Sequence, residues 1–118
     1  MPALNFQKQF AGAVERSEKC QTIRAYRKDC RNPQPKQTLF LYTGMRTKYC
    51  RKLGEYKCKS VSPIAIEKSF DVIVGINSLS VREKKELSAA DGFDSIQDFY
   101  DFFIRHHGLP FYGLLIMW

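Results

Sequence analysis

Closely spaced cysteines are absent. Cys20, Cys30, Cys50 and Cys58 stand 10, 20 and 8 positions apart, whereas zinc sites and redox dithiols draw on pairs separated by roughly two to four residues. The four thiols are therefore read as free and buried. Cys20 lies beside Lys19, whose ammonium would favour a reactive thiolate there. Long apolar runs are missing too. The longest, Leu114 to Trp118, falls far short of the roughly 20 residues that cross a bilayer. The start, Met1-Pro2-Ala3-Leu4-Asn5, lacks the basic and continuous apolar stretches of a secretory signal, so a cytoplasmic protein with no membrane partner is expected. No glycine-rich phosphate loop occurs. Histidine is limited to His106-His107; on a helix, neighbours diverge by about 100° and do not share one metal ion. Compensation of a helix C-terminus is the role expected for them. Neither a metal nor a cofactor is expected.

What remains is a basic, aromatic-rich chain of 118 residues, 44% hydrophobic and 14% aromatic, with a net charge of +7. That length suits one domain, 1–118, able to bury about two-thirds of its unfolded surface. The charge is lopsided: 14 Lys/Arg face 4 Asp/Glu over residues 1–59, against 5 and 8 over 60–118. A one-sided positive field suits a phosphate-bearing partner such as RNA, although a plain solvated face has the same composition. The acidic second half leaves a protein-binding adaptor open as an alternative.

Phe6, Phe10, Ala13 and Val14 lie at helical spacing and predict a first helix from Asn5, as cap, to Ser17. Cys20 to Ala25 reads as a strand and Arg27 to Gln37, with its two prolines, as a loop. Strands are expected over Thr38–Tyr42, Gly54–Val61, Phe70–Ile76 and Phe111–Trp118, with Pro63 ending the second or marking an edge. Ser80 with Glu83, and Ser95 with Asp98, have capping spacing and open helices to about Ala90 and His107, the latter stopped by Gly108. Interleaved strands and short helices make an α+β fold, most economically a small mixed β-barrel with flanking helices. Phe99, Phe102, Phe103 and Trp118 are assigned to its core.

The chemistry-bearing segment is Glu18 to Arg24. In a strand Thr22 and Arg24 share one face and Ile23 takes the other, so Ile23 can anchor the core while its neighbours face a cleft that Lys19 reaches from the preceding turn. Spacing alone is equally met by an exposed lysine, a strand threonine and a surface arginine. Further cations, Arg27, Arg46, Lys48, Arg51 and Lys52, interleave with Tyr42, Tyr49 and Tyr56 as a possible stacking surface for nucleic acid.

Lys19-x-x-Thr22-Ile23-Arg24 after an amphipathic helix resembles the signature of ASCH domains, relatives of the PUA fold. Thr38 to Gly44, Leu79, Asp91-Gly92-Phe93 and Phe111 to Trp118 follow in the order of that family, so the resemblance spans nearly the whole chain. It implies a PUA-like barrel with a cleft for RNA or a modified nucleoside. One branch hydrolyses N(4)-acetylcytidine with a lysine, a threonine and a glutamate. Lys19 and Thr22 match the first two, and Asp91 stands nearest the third, one methylene shorter. The resemblance thus implies Thr22 as nucleophile, Lys19 as base and Asp91 as the acid that orients the lysine or assists the leaving amine, with Arg24 on the ligand. Arg27, Tyr42, Arg46, Lys48, Tyr49 and Arg51 are the further ligand-binding candidates, read from their charge and aromatic character. Other members suggest a metal-independent ribonuclease as the alternative.

Overall fold

The computed structural model describes residues 2–29 and 31–118. In chain order they form β1 (Ala3–Phe6), α1 (Lys8–Glu15), β2 (Gln21–Ala25), β3 (Thr38–Thr43), β4 (Arg51–Lys57) and β5 (Ser60–Ile66). Then follow β6 (Val72–Val74), β7 (Asn77–Ser78), α2 (Val81–Ala90), α3 (Ile96–His106) and β8 (Phe111–Met117). The expected α+β class is what these residues build. The closed barrel is not: the strands form two separate sheets, β1-β3-β4 and β2-β8-β5-β6-β7.

The separation originates at Cys58-Lys59, within what the sequence reads as one strand over Gly54–Val61. Cys58 N donates to Gln37 O on the small-sheet side, and Lys59 N donates to Met117 O on the large-sheet side, each at 2.8 Å. Consecutive amides thus bind different sheets, and the chain turns a corner between β4 and β5. Pro63 lies inside β5 rather than at its end. Its carbonyl accepts from Gly75 N at 2.8 Å, so its backbone polar groups face the β6 side, just past the last paired residues, Ile64 and Val74. A missing N–H costs little there.

The first helix also starts later than its spacing predicts. Leu4 and Phe6 are buried and Asn5 is exposed, a period-two pattern in a strand that runs parallel to β3 with Leu4 opposite Leu41. Asn5 does not cap the helix; its Oδ1 accepts from Met45 N at 3.0 Å. Gln7 is the N-cap, without a side-chain cap bond. Similarly, Phe70 and Gly75 both have φ near +65° (68° and 63°), which trims the expected Phe70–Ile76 strand to Val72–Val74. Ser80 and Glu83 form a full capping box, and Ser95 accepts from Asp98 N, as their spacing predicts.

Strand β8 is central to the packing. Leu114 and Ile116 join Leu4, Phe10, Val14, Leu39, Leu41 and Trp118 in one core, on the side of the small sheet and α1. Phe111 and Leu115 join Ile23, Ile66, Val72, Phe99 and Phe103 in a second, beneath α2 and α3. A strand buried on both faces needs a continuous apolar run, which is what Phe111 to Trp118 supplies. Among the free cysteines, Cys58 is buried as expected, Cys20 is half-buried and Cys50 is exposed. Cys50 departs from expectation because it sits just ahead of β4, at the end of the β3–β4 connection. Cys30 lies outside the described residues. No helix among those described is long and apolar enough to cross a membrane.

Gly113 is where β8 is most tightly hemmed in. A Cβ there would stand 2.3 Å from Arg24 O and 2.8 Å from the Phe111 ring, and the first of these is backbone in a paired strand. Gly113→Ala is therefore expected to destabilise the fold by about 1–3 kcal/mol, read as a lower urea midpoint with an unchanged slope.

Candidate ligand-binding cavity

Two helix ends deliver the central pair of side chains. Helix α1 closes with Ser17 N donating to Val14 O and Glu18 N to Ala13 O, with Ser17 at φ 61°. Helix α2 closes in the same manner, with Gly92 N on Ala89 O and Phe93 N on Ser88 O, and Gly92 at φ 96°. This reversal places a left-handed residue just past the helix and satisfies carbonyls of its last turn. It leaves Asp91 O free. Lys19, two residues beyond Ser17, reaches across and donates to Asp91 O at 2.5 Å and to Asp91 Oδ1 at 3.0 Å. An ammonium at a helix C-terminus is favourable in its own right. Gly92 permits the approach: besides its positive φ, a Cβ there would lie 3.0 Å from the Phe10 ring.

The pair opens onto a cavity of about 390 Å³ between β1, α1 and α3, floored by β2. Aromatic walls come from Phe6, Phe10, Phe93 and Phe102, and polar groups from Asn5, Gln7, Thr22 and Arg24. Thr22 and Arg24 share the cavity face as strand alternation predicts, and Arg24 Nε donates to Thr22 Oγ1 at 2.9 Å. The Arg24 guanidinium lies 4.7 Å from the centre of the Phe6 ring, and Lys19 Nζ lies 5.0 Å from that of Phe10. Phenyl faces bearing partial negative charge thus help to hold both cations in place of water.

Burial dominates the electrostatics. Both partners of the pair are almost wholly enclosed, with side-chain exposures of 3% for Lys19 and 7% for Asp91. Desolvation pushes the Lys19 ammonium below its ordinary range, opposed by the attraction of Asp91 and assisted by the positive charge of Arg24. The same loss of water pushes Asp91 above the ordinary carboxylate range, against the pull of Lys19, Gln21 and Arg24. Arg24 is itself pushed down to about 10 by burial, opposed by the attraction of Asp91 and assisted by repulsion from Arg27. The site therefore holds ionisable groups nearer their neutral forms than water would.

Of the residues expected to carry chemistry, Lys19, Thr22, Asp91 and Arg24 line this cavity. Arg27 does not; it lines an adjoining cleft that it shares with Arg24. Tyr42, Arg46, Lys48, Tyr49 and Arg51 all lie elsewhere, on β3, β4 and the connection between them. Arg51 is paired with Glu15, Lys52 with Glu55 at 2.7 Å, and Lys48 sits 5.2 Å over the ring of Tyr49. Tyr56 packs against Trp118 and places its hydroxyl 3.3 Å from Ser17 Oγ. His106 and His107 both line the cavity, a placement beyond the helix-end role expected of them. They do so over different rings, His106 on Phe102 and His107 on Phe103 and Phe111. Burial, with His106 beside it, holds the His107 imidazole below its ordinary value. Asn5, Gln7 and the phenyl walls carry no local signal that marks them as lining residues. No group of three or more His, Cys, Asp or Glu among the described residues is placed to hold a metal ion.

Comparison with protein-family models, with curated proteins and with solved structures finds no match to this chain.

Removing one partner of a buried pair strands the other. Lys19→Met is expected to cost about 3–5 kcal/mol at neutral pH. Without Lys19, the Asp91 pKa rises further above its unfolded value, so the variant's stability is retained below the unfolded value and lost as pH rises through the folded one. The deficit relative to wild type should therefore shrink on acidification. Urea unfolding at pH 7 and near pH 4 tests this; an equal deficit at both would assign the loss to packing.

Proposed function

We propose that the chain is an ASCH-type, PUA-related domain whose cavity binds a nucleoside, either free or as an unpaired base of RNA. The observation that carries this reading is the cavity's composition: phenyl side chains and the polar groups of β2 in one lining. Flat heteroaromatic rings stack on phenyl faces. Their edges present donors and acceptors in one plane, for which Lys19 offers N–H groups, Asp91 a carboxylate oxygen and Thr22 a hydroxyl, with the Asn5 and Gln7 amides at the side. A volume of about 390 Å³ falls within the range of small-ligand pockets. The resemblance of Lys19-x-x-Thr22-Ile23-Arg24 to the ASCH signature supports the same assignment. Titration calorimetry with cytidine, N(4)-acetylcytidine and a short single-stranded RNA tests it. Thr22→Val, which keeps volume but removes the hydroxyl and strands Arg24 Nε, is expected to weaken binding about tenfold. Absence of binding by all three ligands would overturn the assignment.

A second reading, hydrolysis of N(4)-acetylcytidine to cytidine and acetate, is favoured by one specific feature, a buried lysine with a lowered pKa in the same cavity lining as a buried hydroxyl. Arg24 already donates to Thr22 Oγ1, which leaves the hydroxyl proton free to be transferred. In this reading neutral Lys19 takes that proton as Oγ1 attacks the acetyl carbonyl, the carbon–nitrogen bond breaks, and the proton passes to the departing amine. Water then cleaves the threonyl ester and releases acetate. Lys19 hydrogen-bonds Asp91 and not Thr22, so it must release that bond before it acts as base, and binding remains the leading reading. If hydrolysis occurs, the rate of cytidine formation followed by chromatography should rise with pH through the lowered Lys19 pKa and be abolished in Thr22→Val. Activity unchanged in that variant would eliminate Thr22 as nucleophile.

A further inference from the structure

Arg24 belongs to two cavities. It forms part of the floor of the main one, and together with Ala25 it also lines a smaller cleft of about 210 Å³ that continues toward Arg27 and Asn32. Neither arginine has a carboxylate partner among the described residues, whereas Arg16, Arg51, Lys52 and Arg82 all do. Each is instead held by neutral oxygens. Arg24 uses Nε on Thr22, and Arg27 uses Nη2 on Ala3 O at 2.8 Å. The rest of each guanidinium fork is left for a ligand. Asn32 Oδ1 is occupied by Arg27 N at 2.8 Å, which orients its amide group beside the same cleft. On the outer side, Asp29 lines a further cleft with Arg27 and accepts from Arg31 N at 2.9 Å.

The two part-enclosed guanidiniums repel one another, Asp91 offsets this only on the Arg24 side, and an anion between them removes the remaining cost. Arg forks match the oxygen geometry of phosphate and form short, charge-assisted hydrogen bonds with it. We propose that the cleft between Arg24 and Arg27 is a phosphate subsite, so that the ligand of the main cavity is a nucleotide, with its base against the phenyl walls and its phosphate between the two guanidiniums. This rests on the nucleoside reading of the main cavity and narrows it from nucleoside to phosphorylated nucleoside. Because Arg24 touches both spaces, it ties the two halves of one ligand together.

Calorimetry on the full chain separates the two claims. Cytidine, cytidine 5′-monophosphate, cytidine 3′-monophosphate, a cytidine dinucleotide and inorganic phosphate are each titrated into wild type, Arg27→Gln and Arg27→Lys. In wild type at least one phosphorylated ligand should bind roughly tenfold or more tightly than cytidine, with the gain shrinking as salt is raised. Arg27→Gln should bring the ratio of the two dissociation constants close to one. Arg27→Lys, which keeps the charge without the fork, should retain part of the gain and serves where the glutamine variant does not fold. Tightest binding by the dinucleotide would identify an RNA strand as the source of the phosphate, and tightest binding by a monophosphate would identify a free nucleotide. Inorganic phosphate bound in an Arg27-dependent manner without any cytidine binding would uphold the subsite and defeat the nucleoside reading. A phosphate gain that is absent in wild type, or that persists in Arg27→Gln, would overturn the subsite even if cytidine binds.

Discussion

Lys19 and Asp91 are 72 positions apart in the chain, and their burial against one another constrains much of what surrounds them. Enclosing two charges costs several kcal/mol per ion unless each finds partners. Both helix ends are shaped to provide those partners. Helix α1 must reverse at Ser17 to send Lys19 inward, and α2 must reverse at Gly92 to leave Asp91 O unpaired. A non-glycine residue at the first reversal costs about 1–2 kcal/mol in left-handed geometry. The ion pair links these two turns and thereby sets the spacing between α1 and the α2–α3 connection, where the cavity lies.

The cavity also sits on the seam between two cores. Phe93 and Phe102 pack against both clusters, and Phe10 meets each of them edge-on, with ring centres 5.4 and 5.8 Å away. Close-packed interiors leave few voids larger than a water molecule. The space of about 390 Å³ here is bordered by rings from α1, α3 and the α2–α3 connection that pack edge to face or tilted into one rigid cluster. Strand β8 makes the arrangement possible by offering an apolar face to each core, which sets the small sheet and α1 on one side and α2 and α3 on the other.

The positive charge of residues 1–59 has a different meaning once its partners are seen. Arg16, Arg51 and Lys52 are joined to Glu18, Glu15 and Glu55, exposed pairs of small energetic consequence. Arg24 and Arg27 are instead held on neutral oxygens. Charge composition thus located the basic half of the molecule without separating Arg24, which lines the cavity, from the basic stretch 46–52, which lies away from it.

Features governed by neighbours within a few positions were legible in the sequence by itself. The capping pairs Ser80 with Glu83 and Ser95 with Asp98, the stop at Gly108, the two-faced β8 and the shared face of Thr22 and Arg24 all follow from backbone geometry acting over one or two turns. Where two periods overlapped, the local signal misled: Phe6 fits both the helical spacing to Phe10 and the strand alternation from Leu4, and pairing with β3 decided for the strand. The corner at Cys58-Lys59 has no local mark at all, because it depends on which distant carbonyls, Gln37 O and Met117 O, accept the two amides. The approach of His106 and His107 to the cavity, the cleft at Arg27 and the contact of Lys19 with Asp91 are of the same kind. Hydrogen-bond and packing partners far away in the chain decided them, and those partners come within reach only when both cores have formed on opposite faces of β8.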